Sequence, residues 1–284
     1  MGTLTLALLY VILAPVLGGL LAGLDRIISA RMQGRVGPPL FQPFYDVSKL
    51  FSKGRVEINK LQAPLIFCHL VFMIFTGALF FQGGDILLII FALAASSIFF
   101  ILAAFTAGSP YSFVGAEREL VILLAAEPVF LIVLAGVFKV AGTFGFYDVI
   151  RTGKPLIAFL PGMFFCLLYV LTMKFRKSPF DLSYSHHAHQ ELVKGITTDL
   201  GGRSLAMIEI SHWYENIFLL GFVYLFFAFS PVLGIAAALF TYFLEILADN
   251  TNARAKWQFS LVSTWLITLV FGGGNLIALY FMGM

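Results

Sequence analysis

"ILLIIFALAASSIFFILAAFTAGSPYSFVGA", residues 86–116, contains no Asp, Glu, Lys or Arg. A helix crosses a hydrocarbon core about 30 Å thick with roughly 20 residues, so this run is long enough to span a bilayer. A helix on the surface of a soluble protein carries a polar stripe opposite its apolar one, and this run has none. Residues 1–24 and 61–84 are equally free of those four residue types. The chain is 60% hydrophobic and 12% charged, whereas soluble domains average about 25% charged. These observations together identify a polytopic membrane protein.

Extending the same reading gives an all-α membrane protein with about eight transmembrane helices, near 4–24, 61–82, 86–107, 119–138, 155–173, 205–229, 231–248 and 259–282. The short alternating segments of a membrane β-barrel are absent. The first apolar run is long and lacks the basic start of a cleaved signal peptide, so it reads as the first span. The expected organisation is one polytopic domain over 1–284, with cytoplasmic loops at about 25–60 and 174–204. Loops after the first, third, fifth and seventh spans hold 7, 1, 5 and 2 Lys/Arg, or 15 of the 18. The positive-inside rule therefore puts those loops in the cytoplasm and both termini outside. The net charge of +3 reflects this topology and gives no sign of a nucleic-acid partner. Cys68 and Cys166 each lie in an apolar span, too far apart in sequence to suggest a thiolate metal site.

The first loop contains "GRVGPPLFQPFYDVSKL" (34–50). Gly34, Gly37, Pro38 and Pro39 oppose a helix there. From Pro43 the spacing of Phe44, Val47 and Phe51 describes a short amphipathic helix, with Asp46 and Lys49 off its apolar face. Such a helix fits either a membrane-surface anchor or a docking face for another subunit.

This stretch resembles the Arg-x-Gly-Pro … Gln-Pro-x-x-Asp-x-x-Lys-Leu signature of the complex I membrane subunit that abuts the hydrophilic arm. Only "PLF" (39–41) separates Gly-Pro from Gln-Pro, a shortness similar to the relatives in membrane-bound group 4 [NiFe] hydrogenases.

Ionisable residues also fall inside the spans. Glu127 lies near mid-membrane, where an ionised side chain costs about 2.5–3.5 kcal/mol on the lenient insertion scale. Pro128 follows and invites a kink. Glu117, Arg118 and Glu119 sit near the cytoplasmic end of the same span. Further along, Glu209, His212 and Asn216 share one helical stripe with Glu215 one step round, and Tyr242, Glu245 and Asp249 share another. One buried acid can be structural; acids on three helices, with a histidine able to exchange protons, suggest a wet path. Arg118 and Glu127 also match an Arg and a Glu of the resembled family at the same separation.

The longest polar loop carries "SPFDLSYSHHAHQELVKGITTDLGG" (178–202), with three of the five histidines. Asp181, Ser183 and Ser185 offer caps for a helix starting near His186. His187 and Glu191 then share one face, and His186 and His189 another. A solvated loop, a weak metal site and a contact surface for a redox partner all fit this pattern. "PFDL … ELVKG … TTDLGG" resembles the Pro-Phe-Asp-Leu … Glu-Leu-Val-x-Gly loop of the complex I subunit. The histidine version, with "HWYEN" (212–216), is similar to energy-converting (Ech-type) hydrogenases. Asp181, Glu191 and Asp199 match family acids, while Gly201-Gly202 replaces the usual Ser-Gly.

The resemblance implies a membrane anchor and coupling subunit of a ferredoxin-dependent, ion-translocating hydrogenase in a prokaryotic cytoplasmic membrane. Its partners would be a [NiFe] large subunit, an iron–sulfur small subunit and an antiporter-like membrane subunit. The [NiFe] centre and iron–sulfur clusters would lie in those partners, with no cofactor or metal in this chain. The expected proton relay comprises Glu117, Glu119, Glu127, Glu191, Asp199, Glu209, His212, Glu215, Glu245 and Asp249. The expected partner face comprises Arg31, Arg35, Asp46, Lys49, Arg118, Asp181, His186, His187 and His189. A quinone-reducing complex I subunit of the same fold is the main alternative. A stand-alone ion or metal transporter is another, and a purely structural anchor a third.

Overall fold

The computed structural model describes residues 3–54, 59–180, 183 and 194–283. Asp181, His186, His187, His189 and Glu191 lie outside them. Among the described residues all regular structure is helical: α1 Thr3–Met32, α2 Gln42–Ser52, α3 Gln62–Gln82, α4 Ile86–Phe105, α5 Pro110–Ala141, α6 Phe146–Arg151, α7 Leu156–Phe159, α8 Pro161–Lys174, α9 Gly202–Phe226, α10 Pro231–Thr251, α11 Trp257–Ile267 and α12 Gly274–Phe281. A 3₁₀ turn at Gly195–Thr197 precedes α9, and a π-helical stretch at Thr268–Gly273 joins α11 to α12. Among the described residues six segments are long and apolar enough to cross a membrane: α1, α3, α4, α5, α10 and the continuous run Trp257–Phe281. The shorter apolar α8 and the charge-bearing α9 pack among them, which accounts for the eight expected spans.

Three boundaries differ from expectation, each for a physical reason. Helix α5 starts at Pro110, with Pro in its first turn, rather than near 119. Charge marks where hydrocarbon ends, but backbone hydrogen bonding continues through Glu117-Arg118-Glu119. The span expected at 155–173 is broken at Leu160 (φ −121°, ψ 42°), because Pro161 supplies no N–H to continue α7. Asn275 of α12 covers the break, donating to the Phe159 carbonyl at 3.0 Å and accepting from Met163 N–H at 3.3 Å. The last span is interrupted by the π stretch, beside which the Phe271 carbonyl approaches Gly162.

The core is aromatic. Phe80 of α3 lies 5.3 Å and 6.0 Å from Phe218 and Phe222 of α9, and 4.4 Å from Phe146. Outward faces remain apolar, as Phe91 on α4 and Val232, Ile235 and Phe240 on α10 illustrate. Where lipid is the solvent such faces need no cover, and close helix approach depends on small residues and interhelical hydrogen bonds instead. Tyr10 of α1 donates to the Tyr214 carbonyl at 3.0 Å, and Tyr214 donates back to the Val11 carbonyl at 2.7 Å. About two turns on, Gly18 lets α1 pass against the Trp213 backbone.

A Cβ at Gly18 would fall 2.5 Å from the Trp213 carbonyl oxygen, an atom held in the helix ladder. Gly18→Val should therefore cost about 1–3 kcal/mol, the usual range for overpacking, and lower the thermal midpoint in detergent. Gly273→Ala is the control, since its Cβ meets nothing within 4 Å. Equal midpoints for the two variants would refute the close-packed α1–α9 crossing.

Candidate functional site: a buried charge cluster at the polar end

Helix α8 ends at Lys174, and the chain turns inward instead of leaving the bundle. The turn is made at Arg176, whose φ of 55° lies in the left-handed region. That conformation costs an ordinary L-residue roughly 1–2 kcal/mol, a strain that tends to collect at functional positions. It points two successive basic residues into the protein on different sides.

Arg176 faces α5 and α9. Its Nη2 lies 3.4 Å from Glu119 Oε1, and its Nη1 lies 3.6 Å from Glu215 Oε2 and 3.1 Å from His212 Nδ1. A guanidinium has only donors, so Arg176 donates and His212 Nδ1 accepts. Glu119, His212 and Glu215 are all buried. Charge pairing is what permits such acids in the interior. His212 Nδ1 also lies 3.6 Å from Glu215 Oε2, one turn along the same helix.

Lys177 faces α1 and α10. Its ammonium contacts the carboxylate of Asp25 and lies 3.4 Å from Asp249 Oδ2, while Ser178 N–H donates to Asp249 Oδ1 at 2.9 Å. Burial pulls the Lys177 pKa down, and the two carboxylates outweigh it, leaving a net rise.

Between these two groups opens a cavity of about 590 Å³, walled by α1, α9, α10 and residues 174–177. Asp25, Arg26, Glu209, His212, Asn216 and Asp249 are among the polar groups on its wall. Glu209, His212 and Asn216 thus share one face as expected. Tyr242 also lines the cavity and Glu245 is buried nearby, sensing Lys177 and Asp249.

The other expected residues divide clearly. Glu127 stands apart from the Arg176 cluster, with Lys174 as the cation acting on it. Glu117 is exposed. Asp199 accepts from Ser112 at 2.7 Å and so clamps the loop's return to α5. Asp46 keeps 42% of its side chain exposed while Arg26 contacts it at 2.6 Å and Gln42 donates to it at 2.9 Å, tying α2 to α1. Burial pushes the Asp46 pKa up, and these two bonds with Arg26's charge bring it below the usual carboxylate value. Helix α2 buries Val47 and packs Phe44 against Trp213 of α9, as its apolar spacing predicts, while Phe51 is left exposed. Arg31, Arg35 and Lys49 are exposed, Arg35 at the cavity rim, and Arg118 is half-buried on α5. Asp25, Lys174, Arg176 and Lys177 were absent from the expected sites. Their signal was the run "KFRK" (174–177) at a helix end, which topology alone seemed to explain. Cys68 and Cys166 are free thiols on separate helices, and among the described residues no three His, Cys, Asp or Glu side chains converge on a metal position.

The profile of the NADH dehydrogenase family matches residues 4–280. The chain belongs to that family. Among its relatives, Hydrogenase-4 component C of Escherichia coli is 28% identical, covering 92% of this chain and 91% of its own length. Formate hydrogenlyase subunit 4 of the same organism is 26% identical over 87% and 89%. NADH-ubiquinone oxidoreductase chain 1 of Mycosarcoma maydis is 27% identical over 68% and 65%. The fold matches a chain of the membrane-bound sulfane sulfur reductase, an archaeal respiratory membrane complex, with a TM-score of 0.86, 23% identity and coverage of 98% and 100%. The chain is thus a multi-pass membrane protein whose relatives are membrane subunits of respiratory complexes, and the resemblance to the hydrogenase and complex I branches stands.

Lys177→Met leaves Asp25 and Asp249 without their shared cation, and losing one partner of a buried pair costs about 3–5 kcal/mol. Because the folded pKa of Lys177 is raised, its contribution is complete below the ordinary lysine value of 10.5 and is lost as pH rises through the higher folded value. Thermal midpoints measured on both sides of pH 10.5 should show a steep alkaline decline in the parent protein and a shallower one in Lys177→Met. Parallel curves would remove Lys177 as the clamp.

Proposed function

We propose that this chain is the membrane anchor and coupling subunit of a ferredoxin-dependent, ion-translocating [NiFe] hydrogenase. It docks the [NiFe] large subunit and the iron–sulfur small subunit on its cytoplasmic face and abuts an antiporter-like subunit in the membrane. The [NiFe] centre and the clusters belong to those partners and supply the electron transfer and hydrogen chemistry. This chain's residues hold and move protons at Glu119, Glu215, His212, Glu209, Glu127, Glu245 and Asp249. Exposed Arg31, Arg35 and Lys49 serve the docking face, together with Asp181, His186, His187 and His189 of the loop.

One observation carries this reading: Arg176 sits at the root of the long loop and touches buried acids on two transmembrane helices. A partner that moved the loop would move the cation, and with it the proton affinity of Glu119 and Glu215. The similarity to Hydrogenase-4 component C and Formate hydrogenlyase subunit 4 supports the hydrogenase branch. The cavity favours a second reading, a quinone headgroup site, though its wall of charged side chains suits water better than an isoprenoid chain.

Purification through this chain in mild detergent should yield nickel and iron–sulfur partners. Flavin and NADH-linked partners without nickel, or quinone-dependent turnover, would move the protein to the complex I reading. In proteoliposomes of the complex, Glu119→Gln, Glu127→Gln and Glu209→Gln should each slow ion translocation roughly hundredfold, the low end for a positioned proton-transfer group. Normal gradients in all three variants would leave only the anchor role.

A further inference from the structure

A second cavity, of about 200 Å³, opens between α8 and α10 on the outer surface of the bundle. Its rim is apolar, and Phe165 and Leu244 there are 46% and 37% exposed. Its inner wall is different. Thr241 and Glu245 line it, stand one turn apart on α10, and are 3% and 4% exposed. Neither side chain forms a hydrogen bond or ion pair with another described residue, and Glu245 Oε2 is enclosed without a partner. From α8, Thr172 donates to the Tyr169 carbonyl at 2.6 Å and Tyr169 donates to Ser263 Oγ at 2.7 Å, so both hydroxyl oxygens are left as acceptors. The polar side chains on this wall therefore offer oxygens, and what they lack is a donor.

Charge at this corner is also short of cations. Asp25, Glu245 and Asp249 bring three carboxylates, and Lys177 contacts only Asp25 and Asp249 while acting on Glu245 from further away. A buried carboxylate without a paired cation is costly, so the pocket favours a positively charged occupant. Glu245 lies six residues before the end of α10 at Thr251, about 9 Å along the axis, and Thr172 is two residues from the end of α8. That depth is near the boundary between headgroups and hydrocarbon. The bulky rim of Phe165, Leu168 and Leu244 suits acyl chains, whereas a face for a neighbouring helix is built from small residues. A volume of about 200 Å³ also exceeds a bare ion's needs, since a water occupies only about 30 Å³.

We propose that this pocket is a lipid site that takes the primary ammonium headgroup of a phosphatidylethanolamine, with Glu245 and Thr241 accepting its N–H bonds and the acyl chains lying over Phe165 and Leu244. A choline headgroup carries the same charge but has no N–H to donate, so the site discriminates between the two. Occupied, it holds Glu245 as a carboxylate. The inference goes beyond the coupling role and does not need it, because binding is read without turnover.

The test uses the complex purified through this chain, placed in phosphatidylcholine nanodiscs with a trace of lipid bearing a photoactivatable acyl chain, and labelled peptides are mapped by mass spectrometry. The phosphatidylethanolamine probe should label α8 and α10 at the rim roughly tenfold more than the phosphatidylcholine probe, as expected for hydrogen bonds to a charged group. Glu245→Gln should bring the two probes level, and Thr241→Val should reduce the preference in part. Equal labelling by both probes in the parent complex overturns the proposal, as does an undiminished preference in Glu245→Gln. Should Glu245→Gln not assemble, an undiminished preference in Thr241→Val decides against it. A cross-link showing a lysine of a neighbouring subunit seated in the pocket would also overturn it. Loss of the preference in Glu245→Gln with ion translocation intact supports the lipid site while removing Glu245 from the relay, so the two readings fail separately.

Discussion

A guanidinium held inside a membrane bundle is the constraint on which the polar end of this structure depends. Arg176 cannot shed its charge under any ordinary condition, so the fold must provide carboxylates wherever that side chain goes. Glu119 and Glu215 provide them from α5 and α9, and the left-handed backbone at Arg176 delivers the cation to them. Lys177 then makes the opposite turn and binds α1 to α10 through Asp25 and Asp249. Four helices are thereby joined by two adjacent residues that belong to none of them. A buried ion pair contributes little net stability against a well-packed apolar substitute, so its persistence in the interior calls for a role beyond holding the bundle together.

The rest of the bundle supplies rigidity by other means. In lipid there is no gain from hiding apolar faces, and helices approach closely only where side chains are absent or hydrogen bonds cross. Gly18 against Trp213, with the reciprocal Tyr10–Tyr214 bonds, does this for α1 and α9. Gly115 does it for α5 and the 3₁₀ turn, where a Cβ would lie 2.1 Å from the Ile196 nitrogen. That second contact seats the end of the long loop on the helix carrying Glu119.

The all-helical membrane class and the approximate number of spans were legible because a charge-free run of sufficient length has few alternatives. The candidate site was legible on one side only. Acids such as Glu209, Glu215 and Glu245 are conspicuous against an apolar background, and their stripe periodicity places Glu209, His212 and Asn216 on one wall. Their cations were not legible, because Lys174, Arg176 and Lys177 look like the basic flank that any cytoplasmic helix end carries. Only the reversal of the backbone at Arg176 turns that flank inward, and a positive φ at an arginine leaves no mark in composition. The breaks at Leu160 and Thr268 were missed because hydropathy is blind to hydrogen-bond register.

The distances within the cluster bear on how it would work. Arg176 lies 3.4–3.6 Å from its two carboxylates, at or beyond the edge of a firm hydrogen bond, and closest, at 3.1 Å, to a histidine nitrogen. A guanidinium locked bidentate on one acid would hold that acid ionised and fix the charge distribution. Shared loosely among Glu119, Glu215 and His212, it can favour one acceptor over another after a movement of a fraction of an ångström. At an effective dielectric near 20, a unit charge pair at 4 Å is worth about 4 kcal/mol, so a small displacement shifts carboxylate proton affinity appreciably. The displacement has an evident handle, since Arg176 stands at the start of the 174–204 loop and the loop's end is seated on α5. A cation shared in this way puts acceptors on α5 and α9 under one charge at the point where the start of the loop meets the bundle.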